Sequence, residues 1–341
     1  MPSLTIPDHT PMSVTVRGAH TENVHHGSIA VADSSGRLLA WAGDVDTPVF
    51  TRSALKPFQA MPLVHQGADR WALSDSEIAL LCASHSGEPR HAEGVSALLA
   101  RLGVGEDALA CGVHTPYFYA ATGRQPPAGE TYSRLQHNCS GKHSGMLLLA
   151  QLSGEPLATY LHPDSAVQRA IVRSISHFSG VPADRLVRGI DGCSAPNYAL
   201  PLRALATAIA RLSVDDTDPV YANTPHRLAR AMARHPEMVS GEGRNDLMLM
   251  RAGRGDWFSK VGADGVQVLG SFSRGVGVAA KCADGQLVPL MVGLLSALEQ
   301  LGWLDDEART ALRPLLPPPL RNVAGIEVGH MQAAWRLKMA N

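Results

Sequence analysis

Segments with the alternating pattern of β-strands occur near the two ends of this chain and leave a long helical stretch between them. Near the start, Ser28–Ala32 and Arg37–Trp41 flank Asp33–Gly36, a segment typical of a hairpin turn. Towards the other end, the pattern predicts a second group of strands, with a turn at Gly262–Gly265. These strands are Trp257–Val261, Val266–Leu269, Gly275–Lys281 and a last one within Gly325–Trp335.

The stretch between the two groups of strands has the apolar spacing of helices and one short strand, Leu186–Ile190. The predicted helices are Pro57–His65, Ser74–Ala83, His91–Leu102, Gly141–Leu152, Ser165–Phe178, Leu200–Leu212 and Thr224–Arg234, and two more follow the later strands at Val288–Leu301 and Asp305–Leu315. This order favours an α+β fold, in which one antiparallel sheet is built from the N- and C-terminal strands with a helical region inserted between them.

We expect residues 1–341 to form a single catalytic unit. Its sheet subdomain would comprise residues 13–52 and 254–341, and its mainly helical subdomain residues 53–253. A functional site is expected between the two, where clefts commonly form.

Composition excludes several classes of function. The net charge of −1 gives no electrostatic basis for binding nucleic acid or an anionic membrane. No apolar run approaches the ~20 residues that a membrane span needs. Residues 1–12 are polar and lack the pattern of a signal peptide, so a cytoplasmic location is expected.

Five cysteines without a C-x-x-C pair predict reduced thiols or a metal site rather than disulfides.

Ser53 and Lys56 form a Ser-x-x-Lys motif at the start of a predicted helix. A spacing of three places the hydroxyl and the amine on one side of a helical turn, where a neutral lysine can accept the proton of the serine. Pro57 predicts that this turn is the first of its helix. The alternative is an ordinary N-cap serine, since the motif also arises by chance.

Two later segments carry groups of the same kind. Ser84 lies in Cys82–Glu88, which ends a predicted helix with small polar residues. Lys260-Val261-Gly262 ends a predicted strand, as Lys-Thr-Gly does in serine hydrolases that use Ser-x-x-Lys. The alternatives are a polar helix end closed by Gly87 and a plain edge-strand lysine.

Two loops could together hold a soft metal ion. Cys139 and Lys142 are three residues apart at a loop-to-helix junction, and Cys193 lies in a second loop after the short strand. Thiolates from both loops would suit zinc. The alternative is a pair of buried free cysteines, because spacing alone supplies no clear third ligand.

Taken together, eight segments resemble the asparaginase II family, over residues 14 to 330. They are Glu22–Gly27, Arg52–Gln59, Cys82–Glu88, His137–Met146, Gly189–Pro196, Lys260–Gly265, Arg274–Gly277 and Arg321–Gly329. The resemblance implies a fold like that of serine β-lactamases and glutaminases, and an amidohydrolase that converts L-asparagine to L-aspartate and ammonia. It also implies a homodimer.

The resemblance also implies roles for particular residues. Two serine–lysine pairs are implied, Ser53 with Lys56 and Ser84 with Lys260, with Ser53 as the expected nucleophile. A Zn²⁺ ion held by Cys139, Lys142 and Cys193 is implied to orient substrate rather than to generate hydroxide. Asp191 is implied in a supporting role next to the zinc, and Asp191 and His143 are further candidates for substrate contacts. Independently of the resemblance, Arg244 is a candidate for binding the α-carboxylate, because a guanidinium matches a carboxylate through two hydrogen bonds; the alternative is a surface charge on a loop.

The sequence departs from the family pattern at Ser86, where asparagine is common, and at His26, where arginine is common. These departures leave the serine–lysine pairs intact but bear on substrate preference. Two other readings stay open at this stage. One is a penicillin-recognising, β-lactamase-like or glutaminase-like serine hydrolase, and the other is a non-catalytic zinc-binding protein.

Overall fold

The antiparallel sheet is present and draws its strands from both ends of the chain. The computed structural model describes residues 5–340. The strands within this range are β1 (Thr10–Arg17), β2 (His20–Asp33), β3 (Leu38–Ala42), β4 (Val49–Phe50), β5 (Val187–Ile190), β6 (Pro196–Leu200), β7 (Trp257–Gly262), β8 (Val266–Ser271), β9 (Val276–Cys282), β10 (Leu320–Arg321), β11 (Glu327–Ala333) and β12 (Lys338–Met339).

Most helices lie in the inserted middle region, and two follow β9. They are α1 (Lys56–Gly67), α2 (Asp75–Leu81), α3 (Pro89–Ala100), α4 (Tyr117–Thr122), α5 (Ser140–Leu152), α6 (Ala166–Ser179), α7 (Leu202–Ser213), α8 (Thr224–Arg234), α9 (Pro236–Val239), α10 (Asn245–Ala252), α11 (Leu287–Gln300) and α12 (Asp306–Leu312).

The central strand of the large sheet is β2, and its length explains the topology. Across residues 5–340 the sheet contains nine strands, in the order β10-β11-β1-β2-β9-β8-β7, with β3 pairing β2 and β12 pairing β3. The first half of β2 pairs with β1 and its second half with β3, while β9 runs along the opposite side from Gly27 to Asp33. The strand β7 is therefore left at an edge, next to the helical region.

Helices cover both faces of this sheet. On one face α11 packs against β1, β9 and β11, and the buried side chains there form one core cluster. On the other face α7 packs against β2 and β9, and joins the sheet to the larger core of the helical region. Gly277 allows the close approach of α7, because a Cβ atom there would lie 2.2 Å from the Ala206 carbonyl oxygen.

The predicted α+β architecture is confirmed, including the hairpin of β2 and β3 and the helices of the middle region. The sequence patterns predicted β5, as Leu186–Ile190, but missed β1, β4, β6, β10 and β12, and with them the second sheet, in the order β4-β6-β5. Part of β1 is exposed, and β4 has two residues, so neither carries a clear apolar alternation. The division into subdomains stays a prediction. Among the described residues, no helix has both the length and the apolar character needed to cross a membrane.

Candidate active site

A cleft of about 430 Å³ lies between the β7–β8 turn and the helical region. The sheet contributes Val261–Gly265, and the helical region contributes the two serines singled out from the sequence, Ser53 and Ser84. Tyr117 and Arg244 complete the wall opposite the turn. The volume suits a small-molecule substrate, and the cleft has the position predicted for the functional site.

The hydroxyl of Ser84 lies between two buried lysines. The Oγ atom of Ser84 is 2.9 Å from Lys56 Nζ and 2.8 Å from Lys260 Nζ. Both lysine side chains are fully buried, and Ser84 is 3% exposed. One serine therefore bridges two amines that are 204 residues apart in sequence, and the three groups form a continuous hydrogen-bonded chain.

The fold brings these three residues together from three separate elements. Lys56 is the first residue of α1, and Pro57 follows it at a position where proline fits a helix. Ser84 follows the end of α2, and its backbone N–H donates to the Val239 carbonyl at 3.0 Å. Lys260 lies on the edge strand β7. Gly262 lets β7 approach the segment before α1, because a Cβ atom there would lie 2.3 Å from the Thr51 carbonyl oxygen.

Ser53 faces the same cleft but is placed differently. It lies in the 3-10 turn Arg52–Leu55 that precedes α1, and it is half-buried. Among the described residues its side chain makes no hydrogen bond. Lys56 instead extends past it to Ser84 and to the carbonyl oxygen of Ala83, 2.5 Å away. The expected pairing of Ser53 with Lys56 is thus not a hydrogen bond in this structure, because the buried amine takes the acceptors that surround its tip.

The backbone next to Ser53 is held by an ion pair. Arg52 has a φ of 50°, in the left-handed region that costs a non-glycine residue about 1–3 kcal/mol. Its Nε atom donates to Asp191 Oδ1 at 2.7 Å. Asp191 therefore supports the turn that presents Ser53 to the cleft.

Lys260 has a buried counter-ion that the sequence analysis did not identify. Asp246, in the first turn of α10, places Oδ2 at 3.7 Å from Lys260 Nζ, and both side chains are inaccessible to solvent. Burial lowers the pKa of Lys260 to about 7, against the opposing effect of Asp246 and with a further lowering by Lys56. Lys260 can therefore exchange a proton near neutral pH.

The residues expected to bind zinc are grouped behind Ser84. Lys142 Nζ is 3.0 Å from Cys193 Sγ, and Lys56 Nζ is 3.2 Å from Cys139 Sγ. A hydrogen bond from Cys139 holds the pKa of Cys193 well below its usual range, and Lys142 adds to this effect. The pair of thiols thus favours one thiolate next to a lysine.

This donor set fits zinc in its chemistry. Two neighbouring thiols, of which Cys193 readily loses its proton while the pKa of Cys139 is raised by its hydrogen bond to Cys193, could both bind a soft divalent ion once deprotonated. His143 Nε2 is buried without a hydrogen-bond partner among the described residues, and Cys193 is close enough to influence the pKa of His143. Within residues 5–340 no three His, Cys, Asp or Glu side chains are grouped closely enough to hold a metal ion. The expected site therefore depends on Lys142 as its third ligand.

The three candidates for substrate contacts differ in position. Arg244 lines the cleft, with its guanidinium 5.0 Å from the centre of the Tyr117 ring. Among the described residues, no carboxylate lies within 4.0 Å of it. Asp191 and His143 do not line the cleft. His143 is fully buried, with Nδ1 at 2.6 Å from the Tyr160 hydroxyl, so substrate contacts by these two residues stay predictions.

Sequence reasoning missed Asp246, Tyr117 and Asp264 as residues of the site. Tyr117 and Asp264 line the cleft, and Asp246 lies behind it. Asp246 follows Arg244 by two residues, and Asp264 lies in the turn after Lys260. Both aspartates are close in sequence to candidate residues, and this was the one available signal. A single carboxylate near a motif does not by itself indicate a functional site.

The sequence model of one family, L-asparaginase II, matches residues 14–333. The match spans nearly the whole chain and includes every residue of the candidate site described above. The chain belongs to the L-asparaginase II family. This membership confirms the resemblance seen in the sequence. The cleft of this L-asparaginase II family member contains both serines of the predicted pairs.

The solved structures that resemble this L-asparaginase II family member share little sequence identity with it. Mglu in its native form has 15% identity and a TM-score of 0.45 over 82% of this chain and 66% of its own. A β-lactamase from Mycobacterium bovis has 15% identity and a TM-score of 0.40 over 80% of this chain and 94% of its own. EstCE1, a hydrolase with promiscuous acyltransferase activity, has 13% identity and a TM-score of 0.40 over 80% and 93%.

The chain spans 66% and 61% of the length of the first two Mglu structures, which is less than two thirds. No curated protein matches the sequence. The assignment of the chain to its family therefore rests on the sequence match to the L-asparaginase II model.

Proposed function

We propose that this protein is an L-asparaginase that hydrolyses the side-chain amide of L-asparagine to L-aspartate and ammonia. The observation that carries the proposal is the hydrogen-bonded chain Lys56–Ser84–Lys260, which ends in a cleft that also presents Ser53. Amide hydrolysis by a serine needs a group that takes the proton of the nucleophile and a group that protonates the leaving nitrogen. The chain of three residues can do both.

In the proposed reaction Ser53 Oγ attacks the amide carbon, and its proton passes to the amines behind it. Ser53 suits this step because it is the more open of the two serines, whereas Ser84 Oγ is enclosed by two lysines. The C–N bond then breaks, and the nitrogen leaves as ammonia with a proton delivered through Ser84. Water hydrolyses the resulting β-aspartyl ester, which releases L-aspartate and restores the Ser53 hydroxyl.

The hydrogen-bonded chain Lys56–Ser84–Lys260, called the relay below, can transfer a proton only if one of the two lysines is neutral. Ser84 Oγ can accept a hydrogen bond from both amines, but it can pass its own proton on only to an amine that has a free lone pair. Lys260, with its pKa of about 7, suits the neutral role. Lys56 is assigned the charged role in this proposal, because the proton transfer needs one neutral and one charged amine. The charged amine would stabilise negative charge that develops on the substrate oxygen.

Arg244 is proposed to bind the α-carboxylate of the substrate. A guanidinium matches a carboxylate through two parallel hydrogen bonds. Burial lowers the pKa of Arg244, and this side chain lies in the cleft without a carboxylate of the described residues within 4.0 Å. An incoming carboxylate would supply the missing partner.

Zinc is proposed as a resident ion held by Cys139, Lys142 and Cys193. When bound, it would orient the substrate rather than generate hydroxide. The contact between Lys56 Nζ and Cys139 Sγ links this group of residues to the serine relay. We also propose a homodimer and a cytoplasmic location, which gel filtration with light scattering and cell fractionation can test.

The test of the function is ammonia release from L-asparagine, L-glutamine and a β-aspartyl peptide, with and without chelator. We expect L-asparagine to be the best substrate and Ser53→Ala to abolish turnover. The matched control is Ser153→Ala, an exposed serine outside the cleft. The proposal fails if metal-replete protein releases no ammonia from any amide, or if it hydrolyses a β-lactam such as nitrocefin in place of asparagine.

A further inference from the structure

Two residues with charged side chains lie among those that line the cleft, and they carry opposite charges. Arg244 precedes α10, and Asp264 lies in the turn between β7 and β8. The other lining residues are neutral, and many are small, such as Ala120, Ala121 and Gly262. The cleft therefore offers one cation and one anion from two different elements.

The carboxylate of Asp264 is available to a ligand. It is 78% exposed, and within residues 5–340 its one ion-pair partner is Arg52, whose Nη1 atom lies 3.8 Å away. That distance exceeds a hydrogen bond. Arg52 is already bonded through Nε to Asp191 at 2.7 Å. The acceptor positions of Asp264 are thus largely free on the side of the cleft.

The backbone around Asp264 is held in place even though its side chain is exposed. Lys281 Nζ donates to the Asp264 carbonyl oxygen at 2.9 Å, and this lysine lies on β9. Gly285 packs against the turn, because a Cβ atom there would lie 2.7 Å from Asp264 Cβ. A carboxylate on an anchored turn can bind a cation with less loss of conformational freedom than one on a free loop.

We infer that Asp264 is a specificity-determining residue that binds the α-ammonium group of the substrate, with Arg244 binding the α-carboxylate. This inference rests on the proposed function and deepens it. A free α-amino acid is the ligand class with one cationic and one anionic group attached to the same carbon atom. The two residues would hold this head group and leave the side-chain amide directed towards the serines.

The test measures binding, so it does not depend on turnover. Isothermal titration would compare L-aspartate, which has both groups, with succinate, which lacks the ammonium, and β-alanine, which lacks the α-carboxylate. Wild-type protein should bind L-aspartate about tenfold more tightly than succinate, the difference expected for one charge-assisted hydrogen bond. In Asp264→Asn, the affinity for L-aspartate should fall about tenfold, and the affinity for succinate should not fall.

The control is Asp216→Asn, which changes the net charge equally at an exposed position outside the cleft and should leave both affinities unchanged. Equal weakening of L-aspartate and succinate in Asp264→Asn would overturn the inference. So would a wild-type protein that does not prefer L-aspartate or does not bind it. A protein that shows the predicted binding pattern but releases no ammonia from asparagine would refute the proposed function alone.

Discussion

The carboxylate of Asp246 lies 3.7 Å from the amine of Lys260, and neither side chain is exposed to solvent. Asp246 also accepts hydrogen bonds from Val261 N at 2.9 Å and from Gln267 Nε2 at 2.7 Å. Since β7 is an edge strand, the Val261 N–H would otherwise lack a partner in the sheet. The same carboxylate therefore accepts a hydrogen bond from the edge strand of the sheet and places a negative charge next to Lys260.

This ion pair predicts how activity depends on pH. If the relay uses neutral Lys260, activity should rise as pH increases through the lysine pKa of about 7. Removing the carboxylate disfavours protonated lysine, so Asp246→Asn should move this rise to lower pH by about one unit or more. The measurement is kcat/KM for asparagine across pH, together with a thermal unfolding curve for each variant.

Ser259→Ala is the matched control for this pH shift. Ser259 Oγ donates to Asp246 Oδ1 at 3.1 Å, so its loss removes a hydrogen bond without changing the charge. The pH midpoint should stay where it is in the wild type. A reduced rate in Asp246→Asn with an unmoved midpoint would assign Asp246 a structural role only.

Replacing Ser84 should show whether its hydroxyl transfers protons while Ser53 attacks the substrate. Ser84→Ala removes the atom that joins Lys56 to Lys260, and kcat should fall about 10²- to 10⁴-fold, the usual range for proton-transfer groups. The ester should still form on Ser53, because attack does not use the Ser84 oxygen. Mass spectrometry of peptides after reaction with a slow substrate locates this ester.

Ser53→Ala provides the comparison, since it should form no ester at all. An ester on Ser84 in the wild type, retained in Ser53→Ala, would reverse the assignment of nucleophile and relay. The ammonia assay alone would not distinguish the two serines, because both variants are expected to be slow.

The cysteine cluster predicts a metal content that can be measured directly. Wild-type protein should contain about one zinc per chain. Cys193→Ala should lose it, because one of two thiolate ligands is removed. Elemental analysis by mass spectrometry provides the readout, and Cys282→Ala is the control, since Cys282 hydrogen-bonds Asp284 on the other side of the sheet. Equal zinc in all three proteins would reject the proposed ligands.

The contact between α5 and α2 predicts a change in stability. A Cβ atom on Gly141 would lie 2.3 Å from the Leu80 carbonyl oxygen. Gly141→Ala should therefore lower the free energy of unfolding by about 1–3 kcal/mol, as overpacking does. Urea titration provides the measurement, with Gly105→Ala as the control.

Gly105 has open space around it and a φ of −97°, so an alanine is accommodated there. Its substitution should not lower the free energy of unfolding and is expected to raise it by about 0.4–1 kcal/mol, because alanine restricts the unfolded chain. Equal stability of the two variants would show that α5 moves freely relative to α2.

Most of the secondary structure was predictable from the sequence. The hairpin of β2 and β3 was predicted because apolar residues alternate on either side of Asp33–Gly36. The helix α6 was predicted from its apolar stripe and the capping serine, whose side chain accepts from Gln168 N. These signals are local, since they depend on residues a few positions apart.

The sequence identified residues of the candidate site, but not all of the contacts between them. Ser53, Ser84 and the two lysines were found because each lies in a short motif. The family resemblance implied the pair Ser84 and Lys260, and these side chains are 2.8 Å apart. The bond between Lys56 and Ser84 was not expected, because a long lysine side chain bonds to whichever acceptors surround its tip. The structure bonds Lys56 to Ser84 rather than to its sequence neighbour Ser53.

The sequence by itself determined the family, the order of strands and helices, and the reactive residue types, because local patterns encode them. Only the tertiary structure decided the partners. It placed Asp246 beside Lys260, brought Lys142 from α5 to Cys193 in a second loop, and set Arg244 and Asp264 in one cleft. Such contacts join residues distant in sequence, and they exist only after the sheet and the helical region have packed together.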